Sequence, residues 1–222
     1  MPRFTHCNIT RFSVILLLFF LSGCKIDQQA ANRGLQRAVL TNDLKDIRKY
    51  LNKGASVNYH EPEKGWTPLL FAAEGGTIEI VRTLLESGAD PNELSVESKI
   101  SPFQRAASGG FLEISDMLIK KGADVDHQDS KLKATPLMLA SVNGHADVVA
   151  LLLKQHALID VRDHRGESAL FLAVSAEHSD VVRILLAVGA NKERPDIYGK
   201  TCLQKATELN NSEIINLLKE QL

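Results

Sequence analysis

The sequence predicts an all-α solenoid of about six stacked helix pairs with protruding β-turn fingers. Three observations carry that prediction. First, hydroxyl-Pro-apolar triplets recur: Thr67-Pro68-Leu69, Ser101-Pro102-Phe103 and Thr135-Pro136-Leu137, with the variants Ser168-Ala169-Leu170 and Thr201-Cys202-Leu203. They start at 67, 101, 135, 168 and 201, so the spacings are 34, 34, 33 and 33. The hydroxyl can cap a helix, and Pro at the first helical position lacks only an N–H that would be unpaired anyway. Second, a Gly-Ala landmark follows each unit: Gly54-Ala55-Ser56-Val57-Asn58, Gly88-Ala89-Asp90-Pro91-Asn92, Gly122-Ala123-Asp124-Val125-Asp126 and Gly189-Ala190-Asn191. Gly suits the left-handed residue through which a chain leaves a helix. His156 holds this place in one unit and makes a weaker cap. Third, a turn such as Asn143-Gly144-His145 leads into a more apolar second helix, Ala146 to Leu153. A pair of short helices cannot bury its apolar faces alone and must stack on its neighbours.

The period and the core Thr135-Pro136-Leu137-Met138-Leu139-Ala140 resemble the ankyrin repeat, whose signature is Thr-Pro-Leu-His-x-Ala at a period of about 33 residues. The resemblance covers residues 34–222. Ser168-Ala169 and Cys202 depart from the Thr-Pro pattern, and a less rigid C-terminal half is expected.

The elements follow in chain order. Arg3 and Arg11 precede the apolar run Phe12 to Leu21, which is short for a membrane span and fits the hydrophobic region of a secretory signal. The run ends in Leu21-Ser22-Gly23-Cys24, which resembles a bacterial lipobox. That resemblance implies cleavage of residues 1–23 and acylation of Cys24; a plain transmembrane anchor or ordinary cleavage are the alternatives. Two or more acyl chains hold a protein stably where one does not. In lipoproteins an Asp after the Cys favours the inner membrane, so Lys25 points to the outer membrane, with the domain facing the periplasm. Residues 24–33 read as the lipidated Cys and a polar tether, and residues 34–222 as the repeat domain. Gly34 to Leu51 lacks a Thr-Pro-Leu, yet Ala38 stands 34 before Ala72, which makes it an N-terminal capping unit. Asn210 to Leu222 reads as the C-terminal cap.

Composition removes several function classes. Loss of residues 1–23 takes away Arg3 and Arg11 and moves the formal net charge from -1 to -3. A mildly acidic chain without a basic block is a poor match to nucleic acid. Of three cysteines, Cys7 leaves with the signal and Cys24 carries lipid, so Cys202 has no intramolecular partner. Gly199-Lys200-Thr201 imitates the end of a phosphate loop, but Arg194 stands where its first Gly belongs. Gly166-Glu167-Ser168 begins like a nucleophile elbow, but Leu170 stands where Gly is required. The histidines lack paired metal-ligand spacing, and His145 fills a structural position. No catalytic residue, metal or cofactor is expected.

The loops between units are the fingers, and the first three are one residue longer than the last two: Gly88 to Ser101 is 13, Gly189 to Thr201 is 12. Ankyrin partners bind along finger tips and the concave face of the first helices. The resemblance carries that role to Glu63, Lys64, Trp66 and Glu74 in the first full unit, and to Glu97, Ser98, Ile100 and Ser108 in the second. In the third it falls on Lys131, Leu132, Val142 and Asn143. The fourth supplies His164, Arg165, Glu167 and Ser175, and the fifth Ile197, Tyr198, Lys200 and Thr207. Trp66, the only Trp, is either a binding anchor, with Ile100 and Tyr198 extending an apolar stripe, or filler against the neighbouring finger.

Such arrays bind many unrelated partners, so fold alone does not name one. Similarity to bacterial ankyrin lipoproteins implies an immunity protein, monomeric apart from its partner, that neutralises a type VI secretion phospholipase effector. The alternatives are an envelope scaffold or chaperone for a periplasmic enzyme such as a catalase, and an enzyme in its own right, against which the missing motifs argue.

Overall fold

The computed structural model describes residues 28–220. The signal-peptide reading and Cys24 lie outside the described residues. Among these residues there are twelve helices and no strand. Helix α1 covers 28–40 and pairs with α2 (Leu44–Asn52). The full units follow: α3 (Pro68–Glu74) with α4 (Ile78–Glu86), α5 (Pro102–Ser108) with α6 (Leu112–Lys120), and α7 (Pro136–Val142) with α8 (Ala146–Lys154). Then come α9 (Ala169–Ser175) with α10 (Ser179–Ala187), and α11 (Cys202–Glu208) with α12 (Ser212–Lys219). Six helix pairs stack in one array, as the period requires.

Every first helix of a full unit starts where its hydroxyl stands. Thr67, Ser101, Thr135, Ser168 and Thr201 have extended backbones, and each side-chain oxygen accepts the N–H three residues on, at 3.3, 3.1, 3.3, 3.3 and 3.4 Å. The cap therefore forms with or without the Pro. The second-helix exits are left-handed as expected: φ is 86° at Gly54, 87° at Gly88, 88° at Gly122, 84° at Gly189 and 60° at His156.

Leu84, Leu118, Leu152, Leu185 and Leu218 take one register position in α4, α6, α8, α10 and α12, and all are buried. Their column runs through one hydrophobic core shared by every unit. Polar links repeat alongside it. Asn58, Asn92, Asp126 and Asp160 each accept a backbone N–H of the next unit, from Asp90, Asp124, Leu158 and Asn191, at 2.8–3.0 Å. His145 Nε2 donates to the Ser108 carbonyl (2.9 Å) and His178 Nε2 to that of Val142 (3.1 Å), so each ring satisfies an orphan carbonyl at the end of the preceding unit's first helix. His145 thus has the structural role its position implied.

One boundary is corrected. Residues 28–33 are not a tether but the first turns of α1. Ala31 and Asn32 are buried, and Asn32 Oδ1 accepts the Ser56 N–H at 2.8 Å. The end of a solenoid must cover the neighbouring apolar face, and a helix starting at residue 34 would leave this part uncovered.

Candidate functional site

The fingers are built around a polar turn residue, buried in four of them and half-buried at Asp163. Glu61, Ser95, Asp129, Asp163 and Asp196 hold equivalent places, and their side chains accept the backbone N–H groups of the turn they open. Asp129 shows the pattern most fully, taking the N–H of Lys131 (2.8 Å), Leu132 (2.7 Å) and Ala134 (3.1 Å). Each finger also bonds to the one before it. The N–H groups of Val96, Ser130, His164 and Ile197 donate to the carbonyls of Gly65, Ser98, Leu132 and Arg165, each at 3.0 Å. The fingers are therefore a hydrogen-bonded row rather than loose loops.

The concave floor is set by the fourth residue after each cap: Phe71, Arg105, Leu139, Leu172 and Lys205, all half-buried. Sequence reasoning passed over these residues and the turn acids. The same 33–34 periodicity that located the caps would have found both.

The structure divides the residues carried over from the family into groups. Ile100, Ser108, Lys131 and Leu132 line one cleft of about 200 Å³ with Arg105 and Leu139. Leu132, Val142, His164, Arg165 and Glu167 line the next, about 250 Å³, with Leu139 and Leu172. Leu132 and Leu139 belong to both. Ser108 and Asn143 are spent partly on each other, at 3.2 Å.

Trp66, Lys64 and Glu74 form a separate corner. The half-buried Trp66 ring lies 5.0 Å from that of Phe71, with Lys64 Nζ 5.1 Å and Arg105 Cζ 4.7 Å from its centroid. Glu74 pairs with Arg105 at 3.4 Å. Cation–π contacts of this kind are worth about 0.5–2 kcal/mol. Trp66 thus packs locally, and its packing places Arg105 at the first cleft.

The remaining positions are scattered. Glu63 and Glu97 are exposed on finger tips, and Ser98 is half-buried. Tyr198, 76 % exposed, and Ile197 stand on the last finger, where Lys200 pairs with Glu208 at 2.8 Å. Thr207 bonds back to the Leu203 carbonyl, and Ser175 is half-buried at the end of α9. Trp66, Ile100 and Tyr198 thus belong to three different local groups.

Two titratable groups are shifted by their surroundings. Burial, then the Asp163 charge, raises the Glu167 carboxyl above its usual range. Burial pushes the Cys202 thiol up to about 12, so it stays protonated and unreactive at neutral pH. Among the described residues no three His, Cys, Asp or Glu are grouped to hold a metal, and no helix is long and apolar enough to cross a membrane.

No curated protein matches the chain. A family model of ankyrin repeats in three copies matches residues 10–95, 35–129, 92–163 and 137–221. Proteins of this kind are typically non-enzymatic modules for protein–protein interaction, which agrees with a surface of clefts, caps and fingers. Repeat period, capped helix pairs and family match converge, and the chain belongs to the ankyrin-repeat family.

Proposed function

We propose that the chain is a membrane-tethered immunity protein that binds and blocks a toxic, lipase-type effector delivered into the bacterial envelope. The observation that carries the reading is Leu21-Ser22-Gly23-Cys24, a lipobox-like stretch placed ahead of a protein-binding array. Acylation of Cys24 would hold the binding surface at the bilayer, where a lipase must work. Confinement raises the effective concentration of inhibitor against a membrane-bound target. Binding must be tight, because one escaped enzyme turns over many lipids. The inhibitor need not reach a nucleophile: covering the substrate entrance or blocking an opening motion suffices.

The test expresses a secreted lipase-type effector encoded beside this gene in the periplasm of a sensitive strain, with wild type, Cys24→Ala, Trp66→Ala or no partner. Wild type should protect, Cys24→Ala should lose fatty-acid labelling and protect less, and Trp66→Ala should weaken protection. Truncating a hot-spot Trp costs about 2 kcal/mol or more, about thirty-fold in Kd. Absence of protection by wild type overturns the immunity role and favours an envelope scaffold for a housekeeping enzyme.

A further inference from the structure

Charge is divided along the array. The N-terminal unit, residues 28–53, carries Arg33, Arg37, Lys45, Arg48, Lys49 and Lys53 against Asp43 and Asp46, a formal charge of +4. Residues 54–222 carry 17 Lys and Arg against 24 Asp and Glu, a formal charge of -7. The whole-chain value of -1 conceals this division. A terminal unit needs a polar outer side to stay soluble, but solubility does not choose the sign. The C-terminal unit, residues 189–222, balances five Lys and Arg with five Asp and Glu.

The six cations form no run in the sequence; helical periodicity collects them. All six residues are exposed. Arg33 and Arg37 stand four apart on α1, and Lys45, Lys49 and Lys53 four apart on α2, so each set makes a stripe along one helix face. The stripes meet at Tyr50. Its ring lies against Gly34 of α1, where any Cβ would collide with it. Arg37 Nη2 donates to its hydroxyl at 3.4 Å, and Lys49 Nζ and Lys53 Nζ lie 5.0 and 6.0 Å from its ring centroid. The two acids are already engaged: Asp46 pairs with Lys49 at 2.8 Å, and Asp43 caps α2 by accepting the Asp46 N–H at 3.0 Å. Leu40 continues the α1 stripe and is 59 % exposed. Cations beside a Tyr ring and an exposed Leu suit the boundary between water and lipid.

Chain length points the same way. Three residues separate Cys24 from the first residue of α1, so at most about 14 Å of chain joins them.

We propose that the N-terminal unit is a membrane-surface site, whose two cationic stripes lie on anionic phospholipid headgroups. The proposal rests on acylation of Cys24 for its distance from the bilayer, and not on the immunity role or on any partner. The anionic surface attracts the +4 end of the array and repels the -7 remainder, within a screening length of about 8 Å at physiological ionic strength. The array is thereby held by one end, and its concave face stays open to a partner.

The test reconstitutes the acylated chain into vesicles and acetylates its lysines, with each site read by mass spectrometry. Lys45, Lys49 and Lys53 should react several-fold more slowly in phosphatidylglycerol vesicles than in phosphatidylcholine vesicles. Lys120, Lys154 and Lys219, which are exposed on later units, should react equally in both. High salt should erase the difference, because screening shortens the reach of exposed charges. Lys45→Glu combined with Lys53→Glu should return Lys49 to its phosphatidylcholine rate, whereas Lys120→Glu should not; unchanged circular-dichroism melts would verify the fold. Equal rates in the two vesicles, or equal slowing along the whole array, would overturn the proposal. The same slowing of the three lysines by inorganic phosphate or duplex DNA in phosphatidylcholine vesicles would overturn it too, by marking a general anion site. The intact mass reports acylation separately. An acylated chain with equal rates fails this proposal alone. An unacylated chain fails the anchor, and the proposal then stands or falls on the same comparison with vesicles added in excess.

Discussion

The first three full units and the last two build the same finger differently. A long finger places three residues between the buried turn residue and the left-handed one, as Ser130, Lys131 and Leu132 lie between Asp129 and Lys133. A short finger places two, as His164 and Arg165 lie between Asp163 and Gly166. Neither the caps nor the row of inter-finger bonds changes. The extra residue is absorbed at the tip, where the third full unit carries Lys131 and Leu132, the latter shared by the two clefts. Loss of Pro in the last two units likewise leaves seven-residue first helices in place. Repeat geometry is thus held by capping and stacking, which frees the tip to vary.

The largest expected effect separates an inner unit from the end of the array. Leu152 is fully buried in α8, whereas Leu203 in α11 is 37 % exposed. Leu152→Ala should cost about 2–5 kcal/mol and Leu203→Ala less than about 1. Urea melts of both variants decide it, and equal midpoints would refute a continuous stacked core.

A smaller effect should distinguish the two finger types. Gly166 has φ 73°, and an added Cβ would collide with the Arg162 guanidinium, which donates to the Gly166 and Pro195 carbonyls. Gly166→Ala should therefore destabilise by about 1–2 kcal/mol, the cost of a left-handed L-residue, with any displacement of Arg162 added. Lys133 already occupies this region at φ 54°, so Lys133→Gly should relieve strain and leave the midpoint unchanged or up to about 1 kcal/mol higher. Thermal melts check both, and a stabilising Gly166→Ala would contradict the comparison.

The smallest effect is in pH dependence at the fourth finger. Burial, then Asp163, raises the Glu167 pKa, so the folded state holds this proton more tightly than the unfolded state. Its ionisation therefore costs stability as pH rises from the ordinary Glu range, about 4, through the raised value. Glu167→Gln should raise the melting midpoint near neutral pH, and the gain should vanish in acid. A gain of equal size at about pH 3 and about pH 7 would exclude this cause.

Much of the fold was legible because its signals are local. A Thr or Ser cap acts over three residues and a Gly exit over one, and both recur at 33–34. The candidate site was legible only as a face. Ile100, Lys131, Leu132, His164, Arg165 and Glu167 do line the two clefts, but their split around Leu132 depends on finger register and side-chain rotamers. Trp66 is the clearest case. Its rarity marked it out, while its contact with Arg105 depends on a residue 39 positions away that only stacking brings near.

The sequence by itself determined the helix pairs, their period, the five hydroxyl caps and membership of a stacked class, since each follows from short-range chemistry repeated in register. Tertiary structure alone decided that α1 reaches back to residue 28, that Glu61, Asp129 and Asp196 are buried, and that two clefts meet at Leu132. Those features arise between units. A helix end, a carboxylate or a leucine acquires its role there only when the neighbouring repeat supplies the apolar face, the N–H groups or the opposite wall.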